Sequence, residues 1–281
     1  MKCEVADVKI PAASVLMPVY NNAPFLDEAV SSILGQSFAD FELIIVDDGS
    51  DDGSAAILAA WAGRDCRIRL LSNEGNRGIV YSLNRGLVEC RGAYVVRMDS
   101  DDIALPDRLA RQIGTMDADP GIVVLGAAVT CIDAAGREIG MVRHSLADCP
   151  LLRQNTMIHP TVVIRREVLV RHGLSYLEKY RYAEDYFLWL QLSRFGRLAA
   201  IDDVVLRYRT SGTASRVRHL KAMLRATLRV KLAGAFTLGF LPSVADAGRF
   251  LLECALLLLP AALVLRLYLR LTFGKGTKVH L

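Results

Sequence analysis

The chain has 281 residues, of which 52% are hydrophobic and 23% are charged, and its formal net charge is +4. This length suffices for one large α/β domain with an appendage. Basic residues are not interleaved with aromatic residues, as they are in nucleic-acid-binding modules, so nucleic acid is excluded as a partner.

Strands and helices alternate through the first hundred residues. Apolar runs predict strands at residues 14–20, 41–46, 68–71 and 94–98. Apolar residues at helical spacing predict helices at residues 24–36, from Asp51 or Asp52 through Trp61, and at 79–89. This alternation predicts a parallel sheet wound with helices on both faces.

The second half of the chain is more mixed. Apolar runs predict strands at residues 122–129, 161–164 and 204–208. Between the first two of these, a turn is predicted at Ala135-Gly136. Residues 182–195 predict a helix that is entered through Glu184-Asp185.

The most informative segment is Met98-Asp99-Ser100-Asp101-Asp102, directly after a predicted strand. Neighbouring carboxylates repel one another and are costly to desolvate unless a cation or a hydrogen-bonding ligand compensates them. Mg²⁺ and Mn²⁺ take one or two protein carboxylates and complete their coordination with water and phosphate oxygens. The D-x-D spacing therefore indicates a metal–diphosphate site, with a solvated turn or a helix N-cap as the alternative.

Polar loops follow the carboxyl ends of four predicted strands. They contain Tyr20-Asn21, Asp47-Asp48, Asn76-Arg77 and Asp99 to Asp101. Ligand sites of such sheets lie beyond these strand ends, so we expect the loops to converge on one site. The sequence has neither a G-x-G-x-x-G after the first strand nor a G-x-x-x-x-G-K-[ST], which argues against a dinucleotide-dependent dehydrogenase and a P-loop enzyme.

Eight segments between residues 13 and 215 share their order and spacing with one enzyme family. They are V-L-M-P-V-Y-N (15–21), S-S-I-L-G-Q-S (31–37), F-E-L-I-I-V-D-D-G-S (41–50), N-R-G (76–78), N-R-G-L (84–87), M-D-S-D-D-I (98–103), P-D-R-L (106–109) and A-E-D-Y (183–186). In these segments the chain resembles the family 2 glycosyltransferases of bacterial surface-polysaccharide synthesis. The resemblance implies an α/β GT-A fold with a Rossmann-like mixed sheet. It also implies metal-dependent, inverting transfer of a hexosyl group from a nucleotide-sugar donor, which by family precedent is a UDP-sugar.

The resemblance places the nucleotide base in a pocket formed by the first two polar loops. It implies that Asp48 accepts a hydrogen bond from the base, although capping of the following helix is an alternative for this residue. Tyr20 would stack on or border the base, and Pro18 and Asn21 would shape the same pocket. Arg77 would reach the base or the phosphates, or else be a solvated loop arginine.

The same resemblance assigns the acidic segment to the ribose and the metal. Asp99 would face the ribose or the water shell of the metal, and Asp101 would coordinate Mn²⁺ or Mg²⁺ directly. Asp102 is expected to cap the segment before Pro106. The metal would neutralise the charge that builds on the leaving nucleoside diphosphate.

Two further motifs would supply the base and the acceptor site, and we expect Asp185 to share a single cleft with Asp48 and Asp101. Asp185 matches the family's E-D pair and is expected to take the proton from the acceptor hydroxyl as it attacks the anomeric carbon. Glu184 would orient the acceptor, or be a first-turn helix glutamate. His159 would contact the acceptor or a phosphate, or be a structural histidine. Trp189 would line an acceptor subsite, or pack in the core.

One motif departs from the family pattern. Many relatives carry Y-R-x-H near the end of the catalytic domain, whereas this chain has Tyr208-Arg209-Thr210-Ser211. Any phosphate or metal contact from this segment must therefore come from Arg209 or Ser215, or be missing.

The chain from Ala214 onward differs in composition from the rest. It carries 11 Lys and Arg residues and two acidic residues, a net charge of +9 that leaves −5 for residues 1–213. Residues 214–231 predict a basic amphipathic helix, which suits an anionic membrane surface, with packing on the body as the alternative. We expect residues 1–213 to form the catalytic domain and residues 214–281 a membrane-associating tail.

The end of this tail is apolar. Residues 250–265 contain one charged residue, Glu253. Spanning the membrane and lying on it both stay open, because Pro260 and the flanking charges make a spanning helix marginal.

Cysteine usage and the amino-terminus bear on the compartment. The six cysteines form no C-x-x-C pair and are expected to be buried free thiols. Residues 1–7 contain no apolar stretch of signal-peptide length. We therefore expect the protein in the cytoplasm, at the inner face of the cell membrane, with a glycan or lipid-linked acceptor.

Two rival functions remain at this point. A sugar-1-phosphate nucleotidyltransferase would have a Gly-rich loop with a basic residue after the first strand, where this chain has Pro18-Val19-Tyr20-Asn21. A non-catalytic nucleotide-sugar-binding protein would not need the acidic pairs.

Overall fold

The computed structural model describes residues 10–143, 150–210, 213–261 and 263–264, with the side chains of residues 213–218 left out. Its first part alternates strands and helices: β1 (Ala13–Val19), α1 (Ala23–Leu34), β2 (Phe41–Asp47), α2 (Ser54–Ala62), β3 (Ile68–Ser72), α3 (Ile79–Glu89) and β4 (Tyr94–Arg97). These elements confirm the predicted alternation to within three residues. All residues of β1, β2 and β4 are buried, as in parallel strands that helices cover on both faces.

The second part contains short strands and helices as well as long ones. Its elements are β5 (Ile103–Ala104), α4 (Arg108–Ala118), β6 (Ile122–Ile132), β7 (Glu138–Val142), β8 (Val163–Arg165), α5 (Arg166–Arg171), α6 (Glu184–Leu192), β9 (Arg197–Arg209), α7 (Thr213–Phe236) and α8 (Val244–Leu256). Four of them, β5, α4, β7 and α5, were not predicted from the sequence. The predicted turn at Ala135-Gly136 is present, with Gly136 at φ 78°.

The nine strands form one mixed sheet. Its order is β3-β2-β1-β4-β8-β6-β9-β5, and β7 pairs with the outer part of β6. The predicted parallel pairing holds among β1 to β4, and β6 also pairs parallel with β9. β5, β7 and β8 pair antiparallel, so the sheet is mixed, as the family resemblance implied. The turn at Gly136 reverses the chain between β6 and β7 without a crossover helix, and such a direct reversal produces antiparallel strands.

Apolar side chains fill the space on both faces of the sheet. On one face, Val15 and Met17 of β1 belong to a cluster that includes residues of α1, α2 and α4. On the other face, Leu16 belongs to a cluster that includes residues of α3, α5 and α6. Alternate residues of β1 thus contribute to opposite layers, as the two-residue period of a strand requires. This packing fixes the carboxyl ends of β1, β2 and β4 relative to one another.

A third apolar cluster joins α7 to α6. Ala226 and Val230 of α7 pack with Tyr186, Phe187 and Leu190. The predicted boundary between residues 213 and 214 therefore lies at the start of a helix that shares a core with the body. Packing on the body, the alternative that the sequence left open for this helix, is what the structure shows.

Charged groups join α8 to α7 and to the segment before β8. The buried Lys231 ammonium donates to a Glu253 carboxylate oxygen and to the Arg153 carbonyl, both at 2.6 Å. Arg153 in turn pairs with Asp246 at 2.9 Å. None of the described helices is both long enough and apolar enough to cross a membrane. Residues 1–9 and 265–281, on which part of the membrane and amino-terminal predictions rest, lie outside the described residues.

Candidate active site

A cleft of about 340 Å³ opens beyond the carboxyl ends of β1, β2 and β4. Six of the predicted site residues line it: Pro18, Tyr20, Asp48, Asp99, Asp101 and Glu184. The other lining residues include five polar or aromatic ones that were not predicted: Asn22, Ser82, Ser100, Arg181 and Tyr182. The expected convergence of strand-end loops is therefore observed, and we call this space the first cleft.

The Asp48 carboxylate organises the loop between β3 and α3. One of its oxygens accepts from the Asn73 amide at 2.6 Å and from the Arg77 N–H at 2.9 Å, and the other accepts from the Gly78 N–H at 2.8 Å. The side chain is buried, yet it lines the first cleft. A carboxylate has about four acceptor positions, so these three bonds leave capacity for a ligand donor. Asp48 does not cap α2, the helix that follows it.

The neighbouring glycine brings two loops into contact. Gly49 has φ 73°, and a Cβ built on it would lie 2.5 Å from the Gly75 Cα. Only glycine combines this backbone conformation with such a close approach. The loops after β2 and β3 are therefore locked together behind Asp48.

Asn21 and Arg77 do not line the first cleft. Asn21, at φ 51°, exchanges hydrogen bonds with Asp51 on the exposed side of the loop. The next residue, Asn22, lies in the cleft and donates to Ser100 Oγ at 2.6 Å. The Arg77 guanidinium is exposed and lies 4.7 Å from the Tyr81 ring centroid, so the solvated-arginine alternative is observed.

The acidic segment forms a compact cluster. Carboxylate oxygens of Asp99, Asp101 and Asp102 all lie within 4.8 Å of one another. Burial, followed by the neighbouring Asp99 charge, raises the pKa of Asp101 to about 6 and the pKa of Asp102 well above its usual range. Asp102 Oδ2 is buried and has no hydrogen-bond partner among the described residues. Three crowded carboxylates with an unsatisfied oxygen fit a hard divalent cation.

Asp102 does not cap the segment before Pro106, as the sequence suggested. Its Oδ1 accepts from the Arg209 N–H at 2.7 Å, because β5 carries the acidic loop onto β9. The Arg209 side chain is also buried. It donates to the Asp101 carbonyl at 2.8 Å and to Glu28 at 2.7 Å. Arg209 therefore stabilises the acidic loop, and its guanidinium N–H groups are engaged by these partners rather than available to a phosphate. The side chain of Ser215 lies outside the described residues.

Two buried arginines beneath the cluster were not recognised in the sequence. Arg97 is fully enclosed and forms an ion pair with Asp99. Arg108 donates to the carbonyls of Arg97 and Pro160 at 2.7 and 2.8 Å, and burial lowers its pKa to about 9. The signal was available, since Arg97 directly precedes the M-D-S-D-D run and Arg108 lies in P-D-R-L. Both residues tie the end of β4 to its neighbours.

The first turn of α6 carries the E-D pair, and its two carboxylates face different spaces. Glu184 lines the first cleft, and its Oε2 has no hydrogen-bond partner in the described part of the chain. Burial, followed by the charge of Asp185, raises the pKa of Glu184 to about 7. Asp185 Oδ2 accepts from the Asn155 amide at 3.0 Å, and burial raises its pKa as well.

Asp185 lines a second cleft of about 590 Å³. This second cleft lies between α6, α7 and α8, and Tyr182 is part of the lining of both clefts. The expectation that Asp48, Asp101 and Asp185 would surround a single space is therefore corrected. Asp48 and Asp101 face the first cleft, and Asp185 faces its neighbour across the Tyr182 wall.

The two remaining predicted acceptor residues line neither cleft. Trp189 is completely buried in the layer that contains Leu188 and Leu192, so it packs in the core and offers no surface to an acceptor sugar. His159 contacts the Tyr176 hydroxyl at 2.9 Å and the Trp189 ring edge. Burial and the nearby Arg97 charge hold the pKa of His159 well below its usual value. The structural alternatives are the observed ones for both residues.

Comparison with known proteins agrees with this architecture. The family model described as glycosyl transferase family 2 matches residues 14–173. An uncharacterized glycosyltransferase of Haemophilus influenzae is 32% identical over 216 residues, which are 72% of this chain and 66% of that protein. The amylovoran biosynthesis glycosyltransferase AmsE of Erwinia amylovora is 33% identical over 204 residues, 70% of this chain and 75% of its own.

Solved structures show the same fold at lower sequence identity. The 1–349 fragment of S. aureus TarS in complex with UDP has a TM-score of 0.63 at 20% identity, over 85% of this chain and 69% of that fragment. The mannosyltransferase PcManGT of Pyrobaculum calidifontis, in complex with GDP-Man and Mn²⁺, has a TM-score of 0.60 at 21% identity, over 95% and 82% of the two chains.

A curled mixed sheet with an acidic cluster after its fourth strand defines a GT-A-like α/β protein. With the family model matching more than half of its length, the chain belongs to glycosyl transferase family 2, and it is an enzyme.

Proposed function

We propose that this enzyme transfers a sugar from a UDP-sugar to a hydroxyl of a glycan or lipid-linked acceptor in polysaccharide biosynthesis, with inversion at the anomeric carbon. The observation that carries the proposal is the first cleft, where the acidic cluster and Glu184 are both part of one lining. The names of the relatives support the biological setting, since they include amylovoran, O-antigen and succinoglycan biosynthesis proteins.

The donor would occupy the first cleft. Asp48 would accept a hydrogen bond from the base, since its three hydrogen bonds to the protein leave an acceptor position free. The half-exposed Tyr20 would border the base. Pro18 and Asn22 form the adjoining surface. Asp99 is ion-paired with Arg97, which fits contact with a neutral ribose hydroxyl better than direct coordination of a cation.

A divalent cation, Mn²⁺ or Mg²⁺, would be held by Asp101 with the Asp102 oxygen that lacks a partner, and Asp99 would stand beside it. When bound, such an ion stabilises the charge on a leaving diphosphate. The protein itself holds these carboxylates in place through Arg209 and Arg97. Because the carboxylates must be ionised to bind a cation, raised pKa values make the affinity fall in acid.

We assign the base to Asp185. It stands at the wall between the clefts, and its carboxylate faces the side that is open to an acceptor, whereas Glu184 faces the donor side. The Asn155 amide fixes one Asp185 oxygen. A direct attack assisted by one base is a single displacement and inverts the anomeric configuration.

We further propose that the protein attaches to an anionic membrane surface through its carboxyl-terminal helices. Arg225 and Arg229 are exposed on α7, and Leu241, Val244 and Leu258 are more than four-fifths exposed around α8. Basic and apolar groups exposed together suit such a surface. Arg225→Glu with Arg229→Glu should lower the fraction that sediments with anionic vesicles, whereas Arg64→Glu, an exposed residue just after α2, should not. Equal sedimentation would contradict the attachment.

The donor reaction is tested with a panel of nucleotide sugars and Mn²⁺. We expect Mn²⁺-dependent hydrolysis of a UDP-sugar, and Asp101→Asn should reduce it at least tenfold. Asp202→Asn, which removes an exposed carboxylate of β9, is the matched control. Release of pyrophosphate would instead indicate a nucleotidyltransferase, and binding without hydrolysis or transfer would indicate a non-catalytic protein.

A further inference from the structure

The second cleft has walls of two different kinds. The side formed by α7 and α8 is mainly apolar and includes Leu220, Met223, Leu224, Leu252 and Leu256. Met223 and Leu252 remain 39% and 51% exposed, although they lie in a concave space. Exposed apolar side chains that line a concavity mark a binding site for an apolar group, and 590 Å³ is within the range of small-molecule sites.

The side of the second cleft formed by α6 and the segment before β8 carries polar groups. It contains the Asp185 carboxylate and the Asn155 and Gln154 amides, and Thr227 of α7 adds a hydroxyl. Arg249 and Glu253 of α8 also line the cleft, but they form an ion pair with each other at 2.9 Å. The lining therefore presents hydrogen-bonding groups suited to hydroxyls, and its cation is already neutralised, which disfavours a polyanionic ligand.

The polar side of the second cleft adjoins the first cleft through Tyr182. Tyr182 contributes to both linings, and its φ of 76° is rare for a residue with a bulky side chain. Its ring stacks on His219 of α7 with centroids 5.3 Å apart, and its hydroxyl contacts the same histidine at 3.3 Å. The contact with α7 therefore helps hold the wall between the clefts in a strained conformation.

We infer that the second cleft binds an amphipathic acceptor, with the sugar hydroxyls at Asp185 and an apolar chain between α7 and α8. This inference rests on the proposed function, because the first cleft must supply the donor. It assigns a role to residues 220–264, which lie beyond the part of the chain that the family model matches. The occupant is a glycoside with a long alkyl chain rather than a free, fully polar sugar.

The test compares decyl β-glucoside, kept below its micelle-forming concentration, with methyl β-glucoside. Binding to the full chain is measured by ligand-observed NMR, so no turnover is needed. We expect the decyl glucoside to bind at least tenfold more tightly, because only it can bury an apolar chain. Equal binding of the two glucosides overturns the inference.

A matched pair of variants locates the site. Leu252→Gln changes a residue of the second cleft, whereas Leu251→Gln changes its more exposed neighbour on α8, which does not line the cleft. Both side chains are largely exposed, so both variants should fold. We expect Leu252→Gln to weaken decyl glucoside binding about fivefold and Leu251→Gln to leave it unchanged.

Two outcomes would contradict this assignment. Equal affinities of the two variants would show that the alkyl chain binds elsewhere. A concentration-dependent dimer that Leu252→Gln abolishes and the glucoside does not displace would assign the cleft to a second copy of the chain. The proposed function fails separately, by an absence of nucleotide-sugar hydrolysis in the unaltered enzyme.

Discussion

The two clefts are formed by different kinds of structural element. The first lies at the ends of β1, β2 and β4, and hydrogen bonds between loops hold its polar residues, as around Asp48 and Asp102. The second lies between helices, is largely apolar, and takes most of its walls from α7 and α8. Strand pairing fixes the positions of the polar residues in the first cleft. The second cleft depends instead on how α7 and α8, the last described helices of the chain, pack on the body. We infer that donor and acceptor recognition are separable in this enzyme.

The largest effect is expected at the boundary between the clefts. Asp185→Asn should reduce sugar transfer by about 100- to 10,000-fold, the range that general-base catalysis contributes. Affinity for the nucleotide sugar should stay unchanged, since Asp185 does not line the first cleft. Initial rates together with donor titration separate the two quantities. Transfer at the rate of the unaltered enzyme would remove Asp185 from the role of base.

A second variant asks whether α7 and α8 fold with the rest. Lys231→Met leaves the buried Glu253 carboxylate without one of its two cations, and breaking a buried pair typically costs about 3–5 kcal/mol of unfolding free energy. Urea denaturation would measure the loss. Adding Glu253→Gln should recover part of it, because no unpaired charge then remains. A loss below about 1 kcal/mol, smaller than any buried pair of this kind, would mean that these helices contribute little to folding.

Glu184 of the first cleft predicts a pH effect on stability. Burial raises the pKa of Glu184 from 4.5 to about 7, so the folded state holds its proton more strongly than the unfolded state does. This contribution is complete below pH 4.5 and is lost as the pH rises through 7. Glu184→Gln should therefore stabilise the fold at pH 8 by up to about 3 kcal/mol relative to the parent, and by little at pH 4.

Thermal unfolding of both proteins across this pH range gives the comparison. The difference between the two proteins should widen as the pH rises. A constant difference would show that Glu184 is solvated and that the first cleft does not bury it.

The smallest effect is expected at Arg77. Its side chain lies on the surface over Tyr81, and its link to Asp48 is through the backbone N–H, which every residue except proline retains. Arg77→Ala should change affinity for a UDP-sugar less than about twofold, within the range of a surface substitution. Calorimetric titration measures it. A tenfold loss would show that the guanidinium swings onto the donor.

The first cleft could be predicted from sequence because most of its motifs follow a strand. The order of β1 to β4 is that of a parallel sheet, so residues such as Asp48 and Asp101 must meet at one edge. Asn21 illustrates the limit of this reasoning. The loop turns at that residue, and its neighbour Asn22 is the one that faces the cleft.

The second cleft could not be predicted in the same way. Consecutive helix residues point about 100° apart, so Glu184 and Asp185 face different spaces, but only tertiary packing decides which ones. Trp189 and Arg209 are buried by elements that are distant in sequence, and an aromatic or basic residue in a motif carries no mark of burial. Most of the lining of the second cleft belongs to α7 and α8. The composition of this part of the chain predicted membrane association and gave no indication of a cleft.

The third apolar cluster has a practical consequence for the design of truncated forms of this enzyme. A fragment ending at residue 213 would leave Tyr186, Phe187 and Leu190 without the Ala226 and Val230 that pack against them, and it would strand Arg153 without Asp246. Such a fragment would be prone to aggregate, and its properties would not represent those of the intact protein. Shortened versions should therefore retain the chain at least to residue 264.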